Sequence, residues 1–267
     1  MNEYNIHMAI GLIGGSGLYE IDGVTISKEV SLSTPYGPPS STYKICTLGG
    51  TELIFLPRHG VPHSIPPHRV NYQANVWGFK SLGVDKIITV NAVGGINKNL
   101  APGTIVLQDQ IIDMTSGRLH TFYNTGKVVH IDFTYPYCPE MRSLCIISAA
   151  AISLPLQDTA TYICVNGPRL ETASEIRYFS QNGADIVGMT AMPETALARE
   201  LEICMLGISV VTNYAAGISP HKLTATEVVD EMRHSTDLVK KLLEAFIPAV
   251  PEIRSCPCKD ALKDAGL

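Results

Sequence analysis

The chain has 267 residues, 45% of them hydrophobic and 17% charged, with a formal net charge of −5. The acidic balance offers no basic footprint for nucleic acid, and no apolar run approaches the roughly 20 residues a membrane helix needs. The opening Met1-Asn2-Glu3-Tyr4-Asn5 lacks both a basic start and a long apolar stretch, so a cytoplasmic protein with an ample core is expected.

The first predicted element is the apolar run Met8 to Ile13, read as a buried strand that runs into Gly14-Gly15-Ser16-Gly17. Glycines there let the backbone turn sharply and bring N–H groups close to an anion, and Ser16 adds a hydroxyl. The dinucleotide register G-x-G-x-x-G is missing. The stretch therefore reads either as an anion loop at the carboxyl end of a first strand or as a tight turn without a ligand. Next, Tyr43 to Leu48 and Glu52 to Leu56 flank Gly49-Gly50, a hairpin signal. A helix-like segment from Val70 to Leu82 ends at Gly83, a C-cap residue. Strand-like runs follow at Lys86 to Val90, Thr104 to Leu107, Thr161 to Val165, Asp185 to Val187 and Met205 to Val211. Helical periodicity marks Glu140 to Ile152, Thr172 to Asn182 and Glu194 to Glu202. Thr224-Ala225-Thr226-Glu227 is a capping box that opens a long helix ending at Phe246. Strands alternating with helices predict an α/β fold: one domain over residues 1–247, its central mixed sheet flanked by helices, then a tail over 248–267.

Of the seven cysteines, Cys46, Cys145, Cys164 and Cys204 sit in strand-like or helix-like runs and read as buried small hydrophobes. Cys256-Pro257-Cys258 lies in the polar tail, where it reads as a redox-active pair, a disulfide, or two thiols on a mobile segment. No C-x-x-C pair and no zinc spacing is present. His63 and His68 are close in sequence, but Pro62, Pro66 and Pro67 forbid a ligating helix face, so no metal is expected.

In an open α/β sheet, ligands bind beyond the carboxyl ends of the strands. Those ends share a style here: glycine plus one or two polar residues. They include Arg58-His59-Gly60, Asn91-Ala92-Val93-Gly94, Asn166-Gly167-Pro168-Arg169-Leu170-Glu171, Gly188-Met189-Thr190 and Asn213-Tyr214-Ala215. Arg58 offers a guanidinium fork, Ser16, His59 and Thr190 neutral donors, and Ala92 or Gly94 a backbone N–H. Together they could hold a phosphate. No nucleophile constellation stands out, and Ser16 is not in a G-x-S-x-G elbow. What remains is a reaction in which the protein binds and polarises its substrates.

These motifs, with Thr34-Pro35-Tyr36-Gly37 and Val70-Asn71-Tyr72-Gln73-Ala74-Asn75, resemble the trimeric purine nucleoside phosphorylase and methylthioadenosine phosphorylase family. The resemblance runs from about Ile10 to Phe246. It implies splitting of an N-glycosidic bond by inorganic phosphate, without a cofactor, in a homotrimer or a dimer of such trimers. It implies that Ser16, Arg58, His59, Asn91, Ala92 and Thr190 contact phosphate. Met189 would lie against the ribose, and Leu170 with Asn213, Tyr214 and Ala215 would meet the base. His130 resembles a residue lent by the adjacent subunit. Cys138 and Cys204 stand where some thermophilic members form disulfides, and those members also carry a C-x-C tail. Free thiols remain the other reading.

Methylthioadenosine phosphorylases carry aspartates where this chain has Asn213 and Ala215, and a serine where it has Glu171. Glu171 and Asn213 resemble the pair of 6-oxopurine phosphorylases. The chemistry agrees: a carboxylate accepts from N1–H of hypoxanthine or guanine, and an amide donates to O6 or N7. Adenine N1 is a bare acceptor, and each mispaired buried group costs about 1–3 kcal/mol. At the sugar end, Ala225 and Val228, followed by Met232, predict an apolar pocket suited to a 5′-methylthio group, although His221 and His234 are near in sequence. The expected substrate is 5′-methylthioinosine or a broader range of 6-oxopurine nucleosides; a general inosine/guanosine phosphorylase and a methylthioadenosine phosphorylase are the alternatives.

Overall fold

The computed structural model describes residues 10–15, 25–219 and 225–266. Its strands are β1 (Ile10–Gly14), β2 (Thr25–Val30), β3 (Tyr43–Leu48), β4 (Thr51–Pro57), β5 (Lys86–Gly95), β6 (Ile105–Leu107), β7 (Gln110–Asp113), β8 (Thr161–Cys164), β9 (Ile186–Gly188) and β10 (Cys204–Tyr214). Its helices are α1 (Tyr72–Ser81), α2 (Pro139–Ala151), α3 (Ala173–Gln181), α4 (Ala191–Glu200) and α5 (Ala225–Phe246). The start of α5 agrees with the expectation, although the Thr224 that would cap it lies outside the described residues. A complete capping box closes instead on α3, where Thr172 accepts from Glu175 N–H and Glu175 accepts from Thr172 N–H. No helix among the described residues is long and apolar enough to cross a membrane.

All the strands join one mixed sheet, ordered β2-β3-β4-β1-β5-β9-β8-β7, with β10 pairing β5 and β6. The Gly49-Gly50 hairpin forms as expected, with φ of +58° and +81° at its two glycines. Alternation along β1 covers both faces of the sheet. Leu12 packs with Met232, Val239 and Leu242 of α5, while Ile13 packs with Phe79 of α1 and Leu197 of α4. That packing corrects the reading of Met232 as a pocket residue, because it is a core residue.

β5 organises the site. Along one edge it pairs with β10; along the other it pairs first with β1 and then, at Gly94-Gly95, with β9. Parallel register aligns Gly14 with both Pro57 and Val90. The next residues, Gly15, Arg58 and Asn91, therefore emerge side by side at the carboxyl end of the sheet. A bulge in β10 at Val211/Asn213 then re-aims Asn213 beside Gly94.

The tail is packed, not mobile. Cys256 and Cys258 are buried in the core beneath α2 and α5. Arg254 pairs with Asp85 at 2.9 Å. Val129 bridges Gly266, and His130 N–H donates to Ala265 O at 2.7 Å.

Candidate active site

A cleft of about 990 Å³ opens at the carboxyl end of the sheet, at the upper end of the usual size range for small-molecule sites. Arg58, His59, Asn91, Ala92, Thr190, Met189, Leu170, Glu171, Asn213 and Val228 all line it. Ser16 and the side chain of Ala225 lie outside what the structure describes. Ala215 does not line the cleft: it is buried with Ile176 and Phe179 of α3. Tyr214, expected to meet the base, is also not among the lining residues; its carbonyl accepts from Asn213 Nδ2 at 2.9 Å. His130 is not among the lining residues, and His234 is exposed outside the cleft.

The anion end is built from buried groups with assigned partners. Arg58 is 1% exposed and gives its fork to Glu194, Nε to Oε1 at 2.9 Å and Nη2 to Oε2 at 2.9 Å. Burial alone would favour losing the proton, but Glu194 more than offsets it and keeps Arg58 charged. The fork that the sequence reading offered to phosphate is therefore occupied. Nη1 donates to Val90 O at 3.4 Å and keeps its second N–H, close to Gly15, where a Cβ would stand only 3.3 Å from it. Glycine at position 15 leaves that space for an anion.

His59 also differs from its expected role as a donor. Its Nδ1 lies 2.8 Å from Ile65 O, which assigns the ring proton to Nδ1 and leaves Nε2 as the acceptor facing Gly15. Burial, then the neighbouring Arg58 cation, lowers its pKa to about 3. The ring stacks on His63 with centroids 4.4 Å apart.

Thr190 lines the cleft, and its Oγ1 accepts from Asn91 Nδ2 at 2.8 Å. Thr190 N–H donates to the Tyr162 hydroxyl at 3.3 Å. That hydroxyl reaches Thr190 only because residue 188 is glycine; a Cβ there would collide with it. Asn91 Oδ1 is buried without a partner among the described residues, an acceptor kept for substrate. Asn91 thus holds Thr190 in place at the cleft.

The opposite end is more open. Glu171 has no ion-pair partner among the described residues, because Arg169 pairs instead with Glu175 at 2.7 and 2.9 Å. Burial raises the Glu171 pKa above the usual carboxylate value. Asn213 Oδ1 accepts from Thr212 at 2.9 Å while Nδ2 holds Tyr214 O, which fixes the amide with one N–H still free. From α5 come Val228 and Val229, with Arg233 and Asp237 at the exposed rim. The sugar-side wall is therefore apolar beside a charged rim, not apolar throughout.

Sequence reasoning missed Glu194 and Arg118. Arg118 Nη2 donates to the carbonyls of Asn166 at 3.1 Å and Met189 at 2.9 Å, and Nη1 donates to those of Met192 and to the Tyr72 hydroxyl. One guanidinium thus ties together the two strand-end loops that carry Met189 and Glu171. No local motif marks either residue, since each acts on partners distant in sequence.

Residues 9–248 match the family described as the Phosphorylase superfamily. The chain belongs to that superfamily. It is 53% identical over 96% of its length to a probable S-methyl-5′-thioinosine phosphorylase of Thermodesulfovibrio yellowstonii, covering 97% of that protein. It is 48% identical to an S-methyl-5′-thioadenosine phosphorylase of Thermofilum pendens, over 96% of this chain and 97% of the relative. Among solved structures, methylthioadenosine phosphorylase from Schistosoma mansoni in complex with adenine superposes with a TM-score of 0.90 at 31% identity, covering 97% of this chain and 98% of that one.

Proposed function

We propose that this protein cleaves 6-oxopurine nucleosides with inorganic phosphate, releasing hypoxanthine or guanine and a pentose 1-phosphate. The observation that carries the reading is an unpaired Glu171 carboxylate and a fixed Asn213 amide lining the same cleft as Gly15, Arg58 and Thr190. Phosphate bound at Gly15, Arg58 Nη1 and Thr190 sits under the sugar and attacks as the glycosidic bond opens. The bond breaks toward a sugar cation that the phosphate charge stabilises, while the departing purine takes the electron pair. Asn213 donates to N7 or O6 as negative charge builds there, and Glu171 accepts from N1–H. The work is positioning and electrostatics, with phosphate as co-substrate and no cofactor.

Overall identity does not separate the substrate branches, because relatives named for thioinosine and for thioadenosine lie at 53% and 48%. The Glu171/Asn213 pair favours the 6-oxopurine. Val228 and Val229 favour a 5′-methylthio group, so 5′-methylthioinosine is the preferred substrate. The assembly proposed is a homotrimer in which His130 serves the neighbouring site, and gel filtration with light scattering measures it. Rates with methylthioinosine, inosine and methylthioadenosine, each with and without phosphate, test the activity. Fastest cleavage of methylthioadenosine would overturn the Glu171/Asn213 assignment, and phosphate-independent turnover would make the protein a hydrolase.

A further inference from the structure

Four thiols meet at the base of the sheet. Cys138 caps the N-terminus of α2, Cys204 opens β10, and Cys256 and Cys258 come from the tail. All are buried, none more than 5% exposed, and their sulfurs all lie within 4.8 Å of one another. Cys204 Sγ and Cys256 Sγ are 3.3 Å apart. A tetrahedral zinc with Zn–S of about 2.3 Å places its sulfurs roughly 3.8 Å apart. The observed tetrad brackets that size. Two separate disulfides need closeness only within each pair; here every pair is close, as a single centre requires.

We propose that Cys138, Cys204, Cys256 and Cys258 form a tetrathiolate site for a thiophilic divalent cation, zinc(II) being the natural candidate, that fastens the C-terminal tail to the base of the sheet. The thiol protons leave as the cation enters, so four thiolates and one dication carry a net charge of −2. Arg254 supplies the compensating cation: its Nη1 donates to Cys204 Sγ at 3.9 Å while its Nε holds Asp85 at 2.9 Å. Such an outer donor to a coordinated sulfur orients the ligand and offsets its charge. The ligands come from three separate segments, which is why no spacing motif reveals them. The site is structural: Cys204 and Asn213 lie toward opposite ends of β10, about 30 Å apart along an extended strand.

The test uses the full-length protein, produced with zinc in the medium and purified without oxygen. About one zinc per chain is expected by elemental analysis. The four thiols should resist alkylation until a mercurial releases the metal. Exchange for cobalt(II) should give the intense visible absorption of a tetrahedral tetrathiolate. Cys256→Ser/Cys258→Ser should lose the metal, whereas Cys145→Ala, a buried thiol outside the tetrad, should keep it. If the double variant does not fold, the wild-type cobalt spectrum and thiol protection decide the question. Two results overturn the site. One is denatured, unreduced protein lighter by two hydrogens per bridge and free of metal, which means disulfides. The other is four freely alkylated thiols with no metal retained after dialysis against zinc(II).

Discussion

The two ends of the cleft are built differently. At the anion end, Arg58, His59, Asn91 and Thr190 are all buried, and each is held by a partner: Glu194, Ile65 O, Thr190 and Tyr162. At the nucleoside end, Leu170 is 42% exposed, Val229 39%, and Glu171 has no ion-pair partner among the described residues. The first end hangs on strand register, so its geometry is fixed by the sheet itself. The second hangs on loops and on one helix, whose residues can change without disturbing the core. Shared chemistry at one end and variable selectivity at the other follow from that division. Relatives of similar identity but different named substrates are what such a division would produce.

Removing Glu194 should break the anion end most severely. Glu194→Ala leaves a buried, charged Arg58 without its counterion, which typically costs about 3–5 kcal/mol. For a chain of this size that is a fall in melting temperature on the order of 10 °C. Arg58→Met/Glu194→Met should recover much of the stability but not phosphorolysis, separating the fold from the chemistry. If Glu194→Ala melts with the parent protein, the buried pair does not build this end.

Thr190→Val should act on chemistry, at a stability cost of about 1–3 kcal/mol because it leaves the buried Asn91 Nδ2 without its acceptor. A hydrogen bond to a charged group is worth about 1.5–3 kcal/mol, so kcat/KM for phosphate should fall by roughly 10- to 100-fold. The KM for the nucleoside should move little, because the lost hydroxyl faces the anion. An equal loss in both constants would show that Thr190 shapes the whole cleft.

How much of this was legible in the sequence follows the same division. Gly15, Arg58 and Asn91 could be read because parallel strands bring their carboxyl ends into one row, so reading past each strand reads the site; Thr190 could be read because it follows β9, which meets β5 antiparallel at Gly94-Gly95. The roles of Arg58 and His59 could not be read in full, since Glu194 lies 136 residues from Arg58 and the Ile65 carbonyl fixes the His59 tautomer. β2 escaped notice because five of its six residues are exposed and carry Lys28 and Glu29, without the apolar alternation that marks a half-buried strand. The tail read as polar and mobile because its anchoring residues, Cys256 and Cys258, are few and find their partners only in three dimensions.

At the nucleoside end, Glu171→Gln should reduce the preference for inosine-type over adenosine-type nucleosides by tens-fold, since one buried mispairing of about 1–3 kcal/mol is removed. The pH profile sharpens the assignment. The ionised carboxylate accepts from N1–H more strongly than the protonated acid does, and burial raises the Glu171 pKa. Activity on 6-oxopurines should therefore fall as pH drops through that raised value, above the usual carboxylate range. In Glu171→Gln that acid limb should vanish. The stability contribution runs the opposite way: folding favours the protonated form, so the group's contribution is present below the unfolded pKa and is lost as pH rises through the folded one. An acid limb that survives in Glu171→Gln belongs to another group.

The smallest effect is expected from Asn213→Asp. The amide makes two fixed contacts, accepting from Thr212 at Oδ1 and donating to Tyr214 O at Nδ2. Aspartate keeps the first contact but turns an oxygen lone pair toward the Tyr214 carbonyl. Both substrate classes should therefore lose rate, and the ratio between them reports selectivity. An acceptor in place of the free N–H no longer donates to purine O6, and it can accept from an exocyclic N6 amine. The ratio of 6-amino to 6-oxo turnover should rise by less than about tenfold, the value of one exchanged hydrogen bond near 1 kcal/mol. Measured kcat/KM for methylthioadenosine and methylthioinosine with each variant gives that ratio directly. An unchanged ratio with both rates reduced would leave Asn213 as a residue that shapes the β10 bulge, and would rest purine choice on Glu171 alone.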